Sequence, residues 1–176
     1  MSKQDLIHNP IWLGNFYVHL FGGILAVLSG LFLFFNKLIP FTSQLHKGLG
    51  RTYVFAILFL SGPTGFYLSI FAEGGAAASV GFLLMSSAWM FITYKAVDKI
   101  VKGDLEGHNR WMIRSYCFTL SGVTLRIMTP LGISVFDFDY ETNFIVTAYF
   151  PWLFNMLIAE FILRFKARTA NELNLT

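Results

Sequence analysis

The chain has 176 residues, of which 55% are hydrophobic and 13% charged, with 20 Phe and a mean hydropathy of +0.59. That is too apolar for a soluble domain, where about a quarter of residues are charged. A net charge of +3 and a pI near 9.1 do not mark a nucleic-acid surface, because the basic residues gather at the ends of apolar segments, as they do in membrane topology.

Cysteine usage is equally restrictive. Cys117 is the one cysteine and lies in an apolar stretch, which leaves no disulfide framework and no CxxC metal or redox motif. Glycine-rich phosphate loops, nucleophile elbows and HExxH sequences do not occur, so soluble-enzyme chemistry is the poorest reading.

The N-terminal run MSKQDLIHNP is polar, and the apolar segment after it is too long for a signal core and lacks a small-residue cleavage site, so no cleaved leader is expected. Five segments reach the roughly 20 apolar residues that a crossing needs. They run from about Ile11 to Asn36, Thr52 to Ala72, Ala76 to Tyr94, Trp111 to Ile133 and Asn143 to Leu163. The fold class expected is all-α, one polytopic bundle of five transmembrane helices with no separate soluble domain. GGAAAS (Gly74 to Ser79) reads as a tight turn, and Pro63 and Pro151 fall inside spans and should kink them.

Orientation follows from charge. With the N-terminus outside and the C-terminus inside, the cytoplasmic side holds Lys37, Lys47, Arg51, Lys95, Lys99, Lys102, Arg110, Arg114, Arg164, Lys166 and Arg168. Only Lys3 and Arg126 fall outside, where the loop between the fourth and fifth spans is acidic (Asp137, Asp139, Glu141).

Polar groups within spans are costly and mark functional candidates. In the first span His19 shares a helical stripe with Gly23, Ala26 and Gly30, with Gly22 beside it, so the ring is expected to point into the bundle. The plain alternative is a packing face whose histidine bonds to a neighbouring backbone or hydroxyl. In the fourth span His108, Met112, Ser115, Thr119, Gly122 and Arg126 share one face, which suggests a polar cleft. Arg126 there needs a partner, either Asp137 or Asp139 or a bound anion. Arg110 and Arg114 lie on another face, where snorkelling accounts for them. Asn155 stands near mid-membrane in the last span, and Glu160 precedes Arg164 by four residues, the spacing of a surface ion pair.

The second and fourth spans run in the same direction, which puts His46, with Arg51 nearby, and His108 at the cytoplasmic face. Two such histidines could hold one b-type haem; with Glu160 they would make a two-histidine, one-carboxylate set for a divalent metal. Interfacial placement is the plain alternative for both.

Four stretches then carry a likeness: His19 with its glycines, HKGLGRTY (His46 to Tyr53), the third span with Trp89, and GDLEGHNRWMIRSY (Gly103 to Tyr116) continuing to Arg126. Trp152, Asn155, Ala159 and Glu160 extend it. Together they resemble a bacterial family of predicted membrane proteins known as domain of unknown function 2306. The resemblance implies an inner-membrane location and use of His19, His46, Arg51, His108, Arg114, Arg126 and Glu160.

Three functions compete on these grounds. The first is a redox protein with a haem or metal at His46 and His108, Arg51 and Arg114 beside it, and a pocket of His19, Arg126, Ser115, Thr119 and Asn155 for a quinone head group. The second is a small transporter, against which the absence of an inverted repeat counts. The third is an accessory subunit within a larger membrane complex or an oligomer.

Overall fold

The computed structural model describes residue 6, residues 8–34 and residues 42–173. The predicted end of the first span at Asn36, and Lys3 and Lys37, lie outside the described residues. Five long helices run up and down in chain order. We number them α1 (Pro10–Phe34), α2 (Ser43–Ser69), α3 (Gly75–Val101), α4 (Leu105–Thr119 continuing as Ser121–Ser134) and α5 (Tyr140–Leu173). One end of the bundle gathers Pro10, Ser69, Gly75, Ser134 and Tyr140, and is called here the Pro10 end. The opposite end, where α4 starts, is the Leu105 end.

Local chemistry sets each boundary. Asn9 Oδ1 accepts the backbone N–H groups of Ile11 and Trp12, and Pro10 begins α1 where no N–H is needed. Thr42 caps α2 by accepting from Leu45 N. The link to α3 is a glycine turn, with Gly74 at φ 89° and Gly75 at φ 69°. It is shorter than the GGAAAS stretch suggests, because Ala76 to Ser79 already belong to α3. Gly103 (φ 77°) turns the chain into α4, whose first turn is capped by Asp104 accepting from Gly107 N at 2.7 Å. Asp139 Oδ1 does the same for α5 through Thr142 N at 2.9 Å.

Around Pro63 the helix departs from regular α geometry. Ala56–Ser61 is a π-helical stretch, in which Gly62 N–H reaches back five residues to Ile57 O. Pro63 has no N–H to give and its ring crowds the preceding turn, so widening the turn satisfies the backbone where an α-turn would not. In α4 the two segments meet at Leu120, which keeps helical dihedrals (φ −66°, ψ −12°). Thr119 Oγ1 donates to Ser115 O and Thr124 Oγ1 to Leu120 O, back-bonding of the kind that bends helices.

Four helices, α1, α2, α3 and α5, are long and apolar enough to cross a membrane by length and composition. α4 covers a similar distance in two segments of 15 and 14 residues. The helices α3, α4 and α5 outrun the spans read from sequence, since their polar ends carry capping and ion-pair chemistry that apolarity does not detect.

The burial pattern is inverted relative to a soluble protein. Phe21, Phe59, Leu157 and Phe161 are 60–71% exposed, while Ser61, Thr93, Ser115 and Ser121 are fully buried. Lipid tails solvate Phe and Leu as well as another helix would, so close packing and interhelical hydrogen bonds carry the association. α3 lies centrally, packed on α2, α4 and α5, with α1 against α2. Tyr53, Ala56, Ile57, Trp89, Tyr116 and Phe118 form the main core, and Ile113, Cys117, Ala159 and Leu163 join α4 to α5.

Candidate functional site

α1 and α4 touch near the Leu105 end, where Phe34 stacks on Tyr116 with ring centroids 5.4 Å apart. The contact requires Gly30, since a Cβ there would come within 2.5 Å of the Tyr116 ring. Toward the Pro10 end α1, α2, α3 and α4 wall a cleft of about 720 Å³. Ile24, Leu28 and Val123 line it yet remain 40–51% exposed, so it opens between α1 and α4.

Three of its polar groups come from the sequence-predicted set, and Ser69 and Ser86 add to them. His19, Thr119 and Arg126 all line the cleft. His19 lies nine residues after Pro10 and Arg126 eight before Ser134, so at 1.5 Å per residue both stand roughly 12–14 Å in from the same end. The rest of the wall is largely apolar, with Leu20, Val27, Leu68 and Phe82 among its residues.

His19 is seated by glycines. Its Nδ1 is 2.9 Å from the Ser61 carbonyl, and Ser61 Oγ donates to the His19 carbonyl at 2.7 Å. A Cβ at Gly22 would stand 2.7 Å from Ser61 Oγ and 2.8 Å from Leu60 Cβ; one at Gly65 would stand 2.9 Å from His19 Cε1. The buried face of α1 is Gly22, Ala26, Ser29 and Gly30, with His19 and Gly23 half-buried at the cleft.

Arg126 is exposed and its Nη1 donates to Gly122 O in its own helix at 2.9 Å. It makes no ion pair with Asp137 or Asp139 among the described residues. Asp139 is engaged instead by Thr142, whose hydroxyl and backbone N–H hold its carboxyl below the usual carboxylate range.

Ser115 lies one layer deeper. Trp89 Nε1 donates to Thr119 Oγ1 at 3.0 Å, and Thr119 donates to Ser115 O at 2.9 Å. Tyr53 OH is 2.8 Å from both Thr119 Oγ1 and Ser115 Oγ, and Thr93 Oγ1 is 2.8 Å from Ser115 Oγ. With the Thr119 proton on a carbonyl, the remaining donors run Thr93 to Ser115 to Tyr53 to Thr119, and every hydroxyl is satisfied. The network ties α2, α3 and α4 together and walls the cleft. Tyr53, Thr93 and Ser61 were not singled out in the sequence, although Tyr, Ser and Thr within an apolar span are the available signal. Asn155 falls outside the cleft and donates to Ser121 and Thr124 on α4.

The other predicted residues lie toward the Leu105 end. His46 and Arg51 are exposed on the first turns of α2. His108 is half-buried, with Nδ1 2.8 Å from Ala96 O on α3. Glu160 is bound by Arg114, with Nε–Oε1 at 2.6 Å and Nη2–Oε2 at 3.2 Å, and Arg114 also lies over the Trp111 ring at 5.0 Å. This replaces the expected Glu160–Arg164 pair, because a bidentate fork from a neighbouring helix outcompetes a pair along one helix. Among the described residues no three His, Cys, Asp or Glu side chains stand together as a metal-binding group.

No curated protein and no solved structure matches the chain. The family model described as predicted membrane protein (DUF2306) matches residues 16–163, a stretch that takes in His19, the glycines of α1, the α2 start, Arg126 and Glu160. On that match the chain belongs to the DUF2306 family of predicted membrane proteins.

Proposed function

We propose that this membrane protein binds a lipid-soluble head-and-tail ligand of quinone type in the cleft between α1 and α4, as a small component of membrane electron transfer. The observation that carries the reading is His19 and Arg126 at one depth in a largely apolar cleft with a lateral opening. Pockets with apolar walls and few convergent polar groups are the usual form of small-ligand sites. In this reading α4 is a fifth crossing and the Pro10 end faces outward. Lys47, Arg51, Lys95, Lys99, Lys102, Arg110, Arg114, Arg164, Lys166 and Arg168 then lie toward the cytoplasm, and the ligand enters from the outer leaflet.

The test is organic extraction of protein purified in mild detergent, followed by mass spectrometry. A stoichiometric quinone, lost in a Gly23→Leu variant that fills the cleft, supports the reading. A folded protein that neither carries nor takes up a quinone removes it.

One observation favours a second element. The bond from His108 Nδ1–H to the Ala96 carbonyl leaves Nε2 with its lone pair, the arrangement that orients metal-ligating histidines. A b-type haem or a metal shared by His108 and His46 would supply the electron partner for the quinone. A visible spectrum with a Soret band lost in His108→Ala supports it; a featureless spectrum from haem-replete cells counts against it.

A further inference from the structure

We infer that His19 Nε2 accepts a hydrogen bond from the head group of the cleft's ligand, so that the cleft selects the hydroxyl-bearing hydroquinone form over the quinone. The inference rests on the reading of the cleft as a quinone-type site.

A carbonyl only accepts, so the 2.9 Å contact to Ser61 O places a proton on His19 Nδ1. The neutral ring then carries its lone pair on Nε2. The Nδ1–Cε1 edge lies against α2, where a Cβ at Gly65 would be 3.1 Å from Nδ1 and 2.9 Å from Cε1. With Nδ1 aimed at the Ser61 carbonyl, the Nε2 lone pair points to the other side of the imidazole from that carbonyl, and His19 lines the cleft. Nε2 has no hydrogen-bond partner among the described residues, and the reciprocal bond from Ser61 Oγ holds the two backbones together.

Ser86 adds an independent sign of a missing partner. The residue is 9% exposed, lines the cleft, and its side chain makes no hydrogen bond among the described residues. Its Oγ lies on the same side as the histidine, 3.0 Å from where a Gly65 Cβ would be. Nearer the Pro10 end, Trp12 Nε1 is also buried without a partner at the cleft wall. Across the cleft Arg126 spends one donor on Gly122 O and keeps the others.

The cleft thus offers an acceptor at His19 and donors at Arg126, with the Ser86 hydroxyl and Trp12 Nε1 also on its walls. A hydroquinone matches both, because one O–H donates to Nε2 and its second oxygen accepts from the guanidinium. A quinone carries only acceptors, so its carbonyl would face the Nε2 lone pair and leave it unsatisfied. A phosphodiester head fails for the same reason. Rejection by an unpaired acceptor is an effective source of specificity.

The test uses the full chain in lipid nanodiscs, titrated with a decyl-chain hydroquinone kept reduced, the same quinone, and the hydroquinone dimethyl ether. Quenching of tryptophan fluorescence reads binding, since Trp12 and Trp89 line the cleft. Wild type is expected to bind the hydroquinone about tenfold more tightly than the other two, the worth of one hydrogen bond. His19→Asn keeps a donor near the Nδ1 position for Ser61 and removes Nε2, so the preference should collapse while the Cys117 thiol stays protected. Equal binding of all three heads by wild type, or a preference that survives in a folded His19→Asn, overturns the inference and leaves the cleft reading standing. Binding of none of the three overturns both.

Discussion

His19 and Ser61 hold each other by two hydrogen bonds that run in opposite directions between α1 and α2, the ring nitrogen to one carbonyl and the hydroxyl to the other. The pair sits where α2 leaves its π-helical stretch, and Gly22 and Gly65 clear the space on either side of it. Ser61→Ala removes one bond and leaves the ring seated, so a loss of about 1 kcal/mol in stability is expected. Gly22→Leu meets Ser61 Oγ, Leu60 Cβ and the Ala56 carbonyl within 3.1 Å, and should cost more. Both are measurable by thermal exposure of the buried Cys117 thiol to a reactive fluorophore.

The hydroxyl network predicts non-additive losses. Tyr53→Phe strips a fully buried oxygen from Ser115 and Thr119, and Thr119→Val strips the acceptor of Trp89 Nε1. Each alone should cost about 1–3 kcal/mol, because partners are left unsatisfied. The double variant should cost less than the sum, since the two share one bond. A strictly additive pair of melting shifts would contradict the network.

Arg114 and Glu160 give a contrast between two arginines. The Arg114 side chain is 16% exposed and that of Glu160 40%, so the pair is partly screened. Glu160→Gln should lower stability by about 1 kcal/mol. Arg164→Gln, on the neighbouring turn, should change almost nothing. Equal effects from the two substitutions would restore the i, i+4 pairing along α5.

Asp104 predicts an acid-sensitive helix start. Lys99 Nζ at 2.9 Å and the Gly107 N–H hold its carboxyl below the usual carboxylate range. A depressed folded-state pKa contributes stability above the unfolded value of about 3.9 and loses it as pH falls through the lower folded value. Hydrogen exchange at Gly107 should therefore accelerate, after correction for intrinsic rates, as pH drops below about 4. Asp104→Asn should flatten that dependence. An unchanged profile in the variant would remove Asp104 as the cause.

Some of this was legible in the residues alone. Apolar runs marked all five helices, and four of them are long and apolar enough to declare a membrane span, which must bury its own backbone polar groups. The glycine stripe of α1 and the placing of His19 followed from helical periodicity, as did the shared face of Thr119 and Arg126. The ends of α3, α4 and α5 did not, since Asp98–Lys102 and Lys99–Asp104 pairs and the Asp104 and Asp139 caps extend helices through polar sequence.

Which groups meet was decided only by the tertiary structure. Periodicity names the residues on one face of one helix, but a hydrogen bond depends on the relative shift and rotation of two helices. Those are set by packing at Gly22, Gly30 and Gly65 and by the widened turn before Pro63. That packing drew Glu160 to Arg114 and not to Arg164, put Asn155 on Ser121 and Thr124, and opened a cleft around His19 and Arg126. The sequence by itself determined a membrane bundle with polar groups inside its spans; the packing of α1 on α2 and its divergence from α4 decided where those groups line a cleft.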